Sequence, residues 1–252
     1  IIKSYGDKII PILKENGGQA SAFNTGFAAS RGEIICFLDA DDLLKAEKAA
    51  ELANIFVENP DIGWCFHPLE LLSERPEKMS QQSYTGSSGK YDIRPYIKQG
   101  KLKGTLPFGG LATSGMCFRR SLLQRILPMP EGIRITSDDY IKYTALGLEP
   151  GFVILENLSI QRIHGNNAYT FRNDKQKLRA KIHILTAYWM KYNFPALSKF
   201  TNNILAAGMN MYWRSGGIDA EDQKLVKSYL SSASPLELLE IYARASYYRL
   251  KP

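Results

Sequence analysis

The chain has 252 residues, 44% of them hydrophobic and 11% aromatic, which is enough apolar material for one large core, with or without an appendage, and excludes a disordered or repetitive chain. Its formal net charge is +7, and the excess is local: after Gly165 there are 13 Lys and Arg against 6 Asp and Glu, while the rest of the chain is balanced. Such a basic end suits a solvated helical face or contact with an anionic surface or substrate. No apolar run approaches the ~20 residues of a membrane-spanning helix, and no charged-then-apolar leader opens the chain. The expectation is therefore a soluble, cytoplasmic protein. Cys36, Cys65 and Cys117 are odd in number and set among apolar residues, as buried reduced thiols are.

In chain order, Ile9 to Leu13 reads as a short strand and Glu15 to Gly18 as a tight turn. Gln19 to Ser30 has helical spacing, with Gly32 as its stop. Glu33 to Leu38 is a nearly unbroken apolar run, the pattern of a strand buried on both faces of a parallel sheet. Lys45 to Glu58 reads as a helix and Ile62 to His67 as a strand, an alternation that argues for an α/β layer architecture. Ser73 to Gly104 is polar and reads as a long substrate-facing excursion. Strands are then predicted at Gly115 to Arg119, Gly151 to Glu156 and Leu158 to Ile163, with helices at Ser121 to Ile126 and Tyr140 to Leu146. Beyond Asn173 the pattern is helical, broken at Pro195, Gly216-Gly217 and Pro235. Trp189, Trp213 and Tyr212 fall at helical spacings and read as core.

The run Glu33 to Leu38 ends in Asp39-Ala40-Asp41-Asp42. Side chains alternate along an extended chain, so Asp39 and Asp41 share a side just beyond the carboxyl end of the strand, where open α/β sheets bind ligands. Crowded carboxylates repel unless a cation neutralises them, and hard oxygen donors suit Mg2+ or Mn2+, which can hold a diphosphate. The same residues also fit a plainer role, with Asp41 or Asp42 capping the following helix. Ser137-Asp138-Asp139-Tyr140 likewise reads, taken alone, as a capped helix start. His67 and His183 match no motif and read as structural.

Together, Asn16-Gly17-Gly18-Gln19-Ala20-Ser21-Ala22-Phe23-Asn24-Thr25-Gly26, then Ala28-Ala29-Ser30-Arg31-Gly32-Glu33, then Phe37-Leu38-Asp39-Ala40-Asp41-Asp42 resemble the family 2 glycosyltransferases in order and spacing. Ser137-Asp138-Asp139-Tyr140 and Arg162-Ile163-His164-Gly165-Asn166-Asn167 extend the match, and Ala112 to Arg120 resembles the strand that enters the acceptor site. The resemblance implies a GT-A fold, α/β and Rossmann-like, with a mixed sheet flanked by helices. It covers a catalytic portion at residues 1–170, and a helical C-terminal region follows at 171–252.

The implied activity is inverting transfer of a sugar from a nucleoside-diphosphate sugar, a UDP-sugar being favoured, to a saccharide or lipid-linked acceptor. Gly18, Asn24, Asp39 and Arg162 would serve the donor, and Asp41, Asp39 and His164 would serve Mn2+ or Mg2+. The base would be Asp139, with Asp138 next in line. No nucleic-acid partner is implied, and the basic C-terminal region could rest on the inner face of a membrane. Phe23 departs from the Arg that members often carry before the Asn. The family's first strand-helix-strand segment does not precede Ile1, which implies a fragment. Two rival readings are an inactive remnant that only binds sugar nucleotides and a D-x-D phosphatase of the haloacid dehalogenase type. The phosphatase pattern expects Thr or Val where Leu43 stands.

Overall fold

The computed structural model describes residues 2–73, 86–101, 106–107, 111–165, 167, 169 and 172–250. Two sheets organise it. The larger contains β1 (Ile34–Cys36), β6 (Met116–Arg119), β3 (Trp64–Phe66), β7 (Gly151–Val153) and β5 (Gly89–Tyr91), in that spatial order. Its pairs are antiparallel except β3 with β7, which is parallel. The smaller sheet places β8 (Ser159–Ile163) between β2 (Leu43–Leu44) and β4 (Glu70–Ser73). The acidic turn at residues 39–42 joins the end of β1 to the start of β2, so it connects the two sheets.

Strand β3 is buried on both faces, and its side chains alternate between two apolar clusters as the pleat requires. Trp64 and Phe66 join the main core with Phe118, Leu122, Tyr140 and Ile141. Cys65 joins Cys117, Leu52 and Phe56 on the other face, covered by α2 (Lys48–Glu58). Helix α2 buries Lys48, Leu52 and Phe56, which repeat every four residues and therefore share one face. The main core continues from the sheet into α6 (Lys175–Asn193), α7 (Ser198–Arg214), α8 (Ala220–Ser231) and α9 (Pro235–Leu250). Tyr212 is fully buried there, and Trp189 and Trp213 pack against the cluster while partly exposed. None of the described helices is long and apolar enough to cross a membrane.

Four sequence expectations are corrected. Ile9 to Leu13 forms no strand; Ile10 and Leu13 are 74% and 73% exposed, since an apolar run becomes a strand only where a neighbour accepts its backbone hydrogen bonds. Strand β1 is an edge strand paired antiparallel with β6 alone, not a strand inside a parallel sheet, and Cys36 is exposed rather than buried. Helix α2 begins at Lys48, three residues later than expected, because β2 ends at Leu44 and a turn at Ala46 and Glu47 precedes the helix. The polar excursion contains β5 and α3 (Arg94–Lys98); its residues 74–85 and 102–104 lie outside the described set.

Close approach fixes one backbone position at the seam between the sheets. A Cβ on Gly115 would sit 2.3 Å from the carbonyl oxygen of His67, a backbone atom that cannot swing away. Gly115→Ala is expected to destabilise the fold by about 1–3 kcal/mol, read as a lower denaturation midpoint; an unchanged midpoint would show that the seam yields.

Candidate active site

The acidic turn, the start of α1 (Gln19–Ala29) and the start of α5 (Asp138–Leu148) line one cleft of about 880 Å³. Gly18, Asp39, Asp41, Asp138 and Asp139 all face it. Gly18 has φ +84°, and a Cβ there would meet the Arg134 carbonyl oxygen at 2.8 Å; only glycine accepts that conformation and that approach without strain. Its amide is held by Asn16 Oδ1 at 3.0 Å, and the amide of Gln19 donates to the same Arg134 carbonyl at 2.9 Å.

The position of α2 excludes the helix-cap reading of Asp41 and Asp42. The helix starts at Lys48 with Glu47 at its cap position, well beyond both residues. Asp42 is buried; it accepts a hydrogen bond from Ser114 Oγ at 2.6 Å and one from the Arg162 amide at 3.2 Å. Ser114 Oγ also accepts the amide of Asp39 at 3.0 Å. Buried Lys48 donates to the Ser114 carbonyl at 2.7 Å and to Ser159 Oγ at 3.0 Å. Asp42 thus braces the turn, leaving Asp39 and Asp41 to face the cleft.

Asp41 Oδ2 lies 3.1 Å from His164 Nε2 and accepts from Asn167 Nδ2 at 2.9 Å. The Asn167 side chain also accepts the His164 amide at 2.7 Å, which fixes this loop after β8. Arg162 does not line the cleft; its guanidinium donates to the Asp41 carbonyl, so it holds the turn from behind. Asn24 also lies outside the lining. Its side chain donates to the Met129 carbonyl and accepts the Met129 amide, both at 2.8 Å, pinning α1 to the segment before α5. Arg119 and Arg120 hold backbone carbonyls rather than entering the cleft: Arg119 donates to those of Ile62, Phe56 and Asn59, and Arg120 to that of Gly32. His67 is buried, with its pKa lowered to about 4 by burial, and His183 Nδ1 donates to the Arg179 carbonyl of its own helix at 2.9 Å.

Hard divalent cations often take one or two carboxylates plus substrate phosphate rather than a closed protein cage. Asp41 and His164 fit that kind of open site, with Asn167 orienting both. Asp39 does not join them: among the described residues no three His, Cys, Asp or Glu side chains converge as a metal-binding group.

Gln19, unassigned in the sequence reading, ties the cleft together. Its Nε2 donates to Thr113 Oγ1 at 3.1 Å and reaches Asp39 Oδ1 at 3.5 Å, while its Oε1 accepts the Ser137 amide at 2.8 Å and its hydroxyl at 3.0 Å. One amide thus connects the acidic turn to the start of α5. Its only sequence signal is its place after Gly17-Gly18. Just before α5, Thr136 holds φ +53°, a strained conformation for a β-branched residue and of the kind found at functional sites.

The carboxylates differ in protonation. Burial, then repulsion from Asp42 and Asp41, raises the Asp39 pKa to about 6. Burial, then repulsion from Asp139, raises Asp138 to about 7, and among the described residues its Oδ1 has no hydrogen-bond partner. Burial also pushes Asp139 upward, but its ion pair with Lys142, helped by His183 and Arg179, outweighs burial and holds it below the usual range.

Because native Asp138 keeps its proton after the unfolded chain has lost it, the native state binds more protons between pH ~4 and ~7 and loses stability as pH rises through that window. Asp138→Asn removes that slope. Melts in chelator from pH 4.5 to 8 should show the variant gaining on the parent as pH rises, by about 1–3 kcal/mol in all; a difference independent of pH would contradict a raised Asp138 pKa.

Comparisons with known proteins bear on the family and the fold. The family model described as Glycosyl transferase family 2 matches residues 1–127. An uncharacterized glycosyltransferase of Nostoc sp. strain PCC 7120 is 36% identical over 162 residues, 64% of this chain and 49% of that protein. An uncharacterized glycosyltransferase of Rickettsia bellii is 31% identical over 195 residues, 76% of this chain and 26% of that protein. The chain thus spans about half, or less, of the length of these relatives. The crystal structure of S. aureus TarS 1-349 in complex with UDP-GlcNAc superposes with a TM-score of 0.60 at 14% identity, covering 98% of this chain and 75% of that one, a match of GT-A fold. This sets aside the phosphatase reading, and with half of its length under the family model the chain belongs to glycosyl transferase family 2.

Proposed function

We propose that this chain is the catalytic portion of an inverting, metal-dependent glycosyltransferase that moves a sugar from a nucleoside-diphosphate sugar to a saccharide or lipid-linked acceptor. The observation that carries the reading is the meeting of Asp39 and Asp41 with Asp138 and Asp139 in one cleft, two carboxylate pairs about 100 residues apart in sequence. A UDP-sugar is the favoured donor, supported by the UDP-GlcNAc complex of the structurally similar TarS.

In this reading Asp41 and His164 hold Mn2+ or Mg2+, which when bound offsets the charge of the leaving diphosphate. Asp39 faces the donor from the same turn, and Gly18 lets the backbone approach it. The acceptor hydroxyl attacks the anomeric carbon from the face opposite the diphosphate. A new carbon–oxygen bond forms as the bond to diphosphate breaks, and the hydroxyl proton passes to a carboxylate. Asp139 is that base, because its carboxylate is already ionised beside Lys142. A second reading assigns the base to Asp138, favoured by its unpartnered Oδ1 and by a pKa near neutrality, where general bases work best. The basic C-terminal region would serve as a peripheral contact with the inner membrane face where the acceptor is lipid-linked.

Calorimetry with UDP and Mn2+ tests the donor side. Saturable heat is expected for the parent chain and a loss of at least about tenfold in affinity for Asp41→Ala; equal binding by parent and variant would remove Asp41 from the site, and silence from both would overturn the donor reading.

The base assignments predict different pH profiles for sugar transfer. A base must be deprotonated before reaction, so with Asp139 the rate should hold as pH falls to about 5, whereas with Asp138 it should fall below about 7. Asp139→Asn should lower kcat by about 10²-fold or more in the first case, and Asp138→Asn in the second.

A further inference from the structure

Helix α6 carries four cations in its first two turns, and they divide by face. Lys177 pairs with Asp219 at 2.8 Å and Lys181 with Glu221 at 3.1 Å, so the side toward α8 is neutralised. Lys175 and Arg179 are one turn apart on another face, and both line the cleft. Among the described residues neither forms an ion pair, whereas Arg172, just before the helix, is paired with Asp174 at 2.6 Å. Lys175 lies 4.8 Å from the centre of the Tyr169 ring, which also lines the cleft.

Local stability does not account for this arrangement. Lys175 is the first residue of a 19-residue helix with no acidic residue in its first turn, where a cation opposes the helix dipole and an anion would favour it. Arg179 stands on the same wall as Tyr143 and Asp139 and acts on both electrostatically. Asp139 already has Lys142 as its ion-pair partner, and Asp138 is the other carboxyl facing this wall. Two exposed cations therefore line the same cleft as the carboxylate pair, with Arg179 acting directly on Asp139.

We propose that Lys175 and Arg179 form an anion-binding subsite on the Asp139 wall of the cleft, which recognises a phosphate or carboxylate carried by the acceptor. The inference rests on the reading of Asp139 as the acceptor side. An arginine offers paired donors to either anion and a lysine a point charge, so the two together can hold an acidic acceptor with its neighbouring hydroxyl directed to the base. Neutral acceptors of the same size lack that hold.

The test is a protein-observed NMR titration with UDP and Mg2+ first, then with glucose, glucose 6-phosphate or glucuronate on the UDP-loaded chain. The acidic sugars are expected to bind about tenfold or more tighter than glucose, and the stronger of the two identifies the anion. Lys175→Ala/Arg179→Ala should erase that preference while UDP affinity stays within about twofold, and Lys175→Arg/Arg179→Lys should keep it. If UDP binds but the acidic sugars bind no tighter than glucose, or equally well to the double alanine variant, the subsite is overturned and the donor reading survives. If UDP does not bind while the acidic sugars bind and are lost in the double variant, the subsite stands and the donor assignment falls. If nothing binds, both fall.

Discussion

Placing Asp39, Asp41, Asp42, Asp138 and Asp139 around one cleft creates a repulsion that must be met locally, and much of the surrounding architecture does so. Asp42 is buried against a hydroxyl and a backbone amide. Asp41 is met by His164 and Asn167, and Asp139 by Lys142. Asp39 and Asp138 have weaker compensation, and burial raises both pKa values. Unpaired buried carboxyls destabilise a fold, so their retention beside a strained Thr136 fits a site in which stability has yielded to function.

The braces are distributed through the fold. Ser114 lies between the sheets and holds the Asp39 amide and the Asp42 carboxylate with one hydroxyl, while its carbonyl accepts from Lys48 and Ser159. Gln19 then connects this turn to Ser137, where α5 begins. A shift in either sheet would therefore be transmitted to both carboxylate pairs, so the spacing of the pairs is set by packed elements rather than by loops alone. Such rigid support is what positioned catalytic groups require.

The acidic turn, the Asp138-Asp139 helix start and His164 were legible in the sequence because each sits in a short motif with its own order and spacing. The partners that make them work were not. Ser114, Lys48 and Lys142 are common residue types with no local pattern, and Lys48 meets Ser159 across 111 residues, a relation only the fold creates. The direction of β1 was misread for a similar reason: a continuous apolar run signals burial, but it does not state how many neighbours a strand has or which way they run. Asn24 and Arg162 belong to the same motifs as the cleft residues, yet their side chains hold backbone behind the cleft, since a motif preserves supports and contacts alike.

The C-terminal helices change how the basic end of the chain is understood. Net charge alone suggested a diffuse attraction to an anionic surface, but the cations in the first two turns of α6 are sorted: those toward α8 are paired and, among the described residues, those toward the cleft form no ion pair. The helix is held by the same apolar core as the sheet, through Ala180, Ile184 and Ala187, so its cationic face is fixed relative to Asp139. One wall of the cleft is consequently acidic, at the turn that ends β1, and the opposite wall mixes carboxylates with fixed cations. A ligand with negative charge at both ends would need a cation at the first wall and would find cations already in place at the second. The proposed anion subsite draws on that asymmetry, in addition to the packing of the helical region against the sheet.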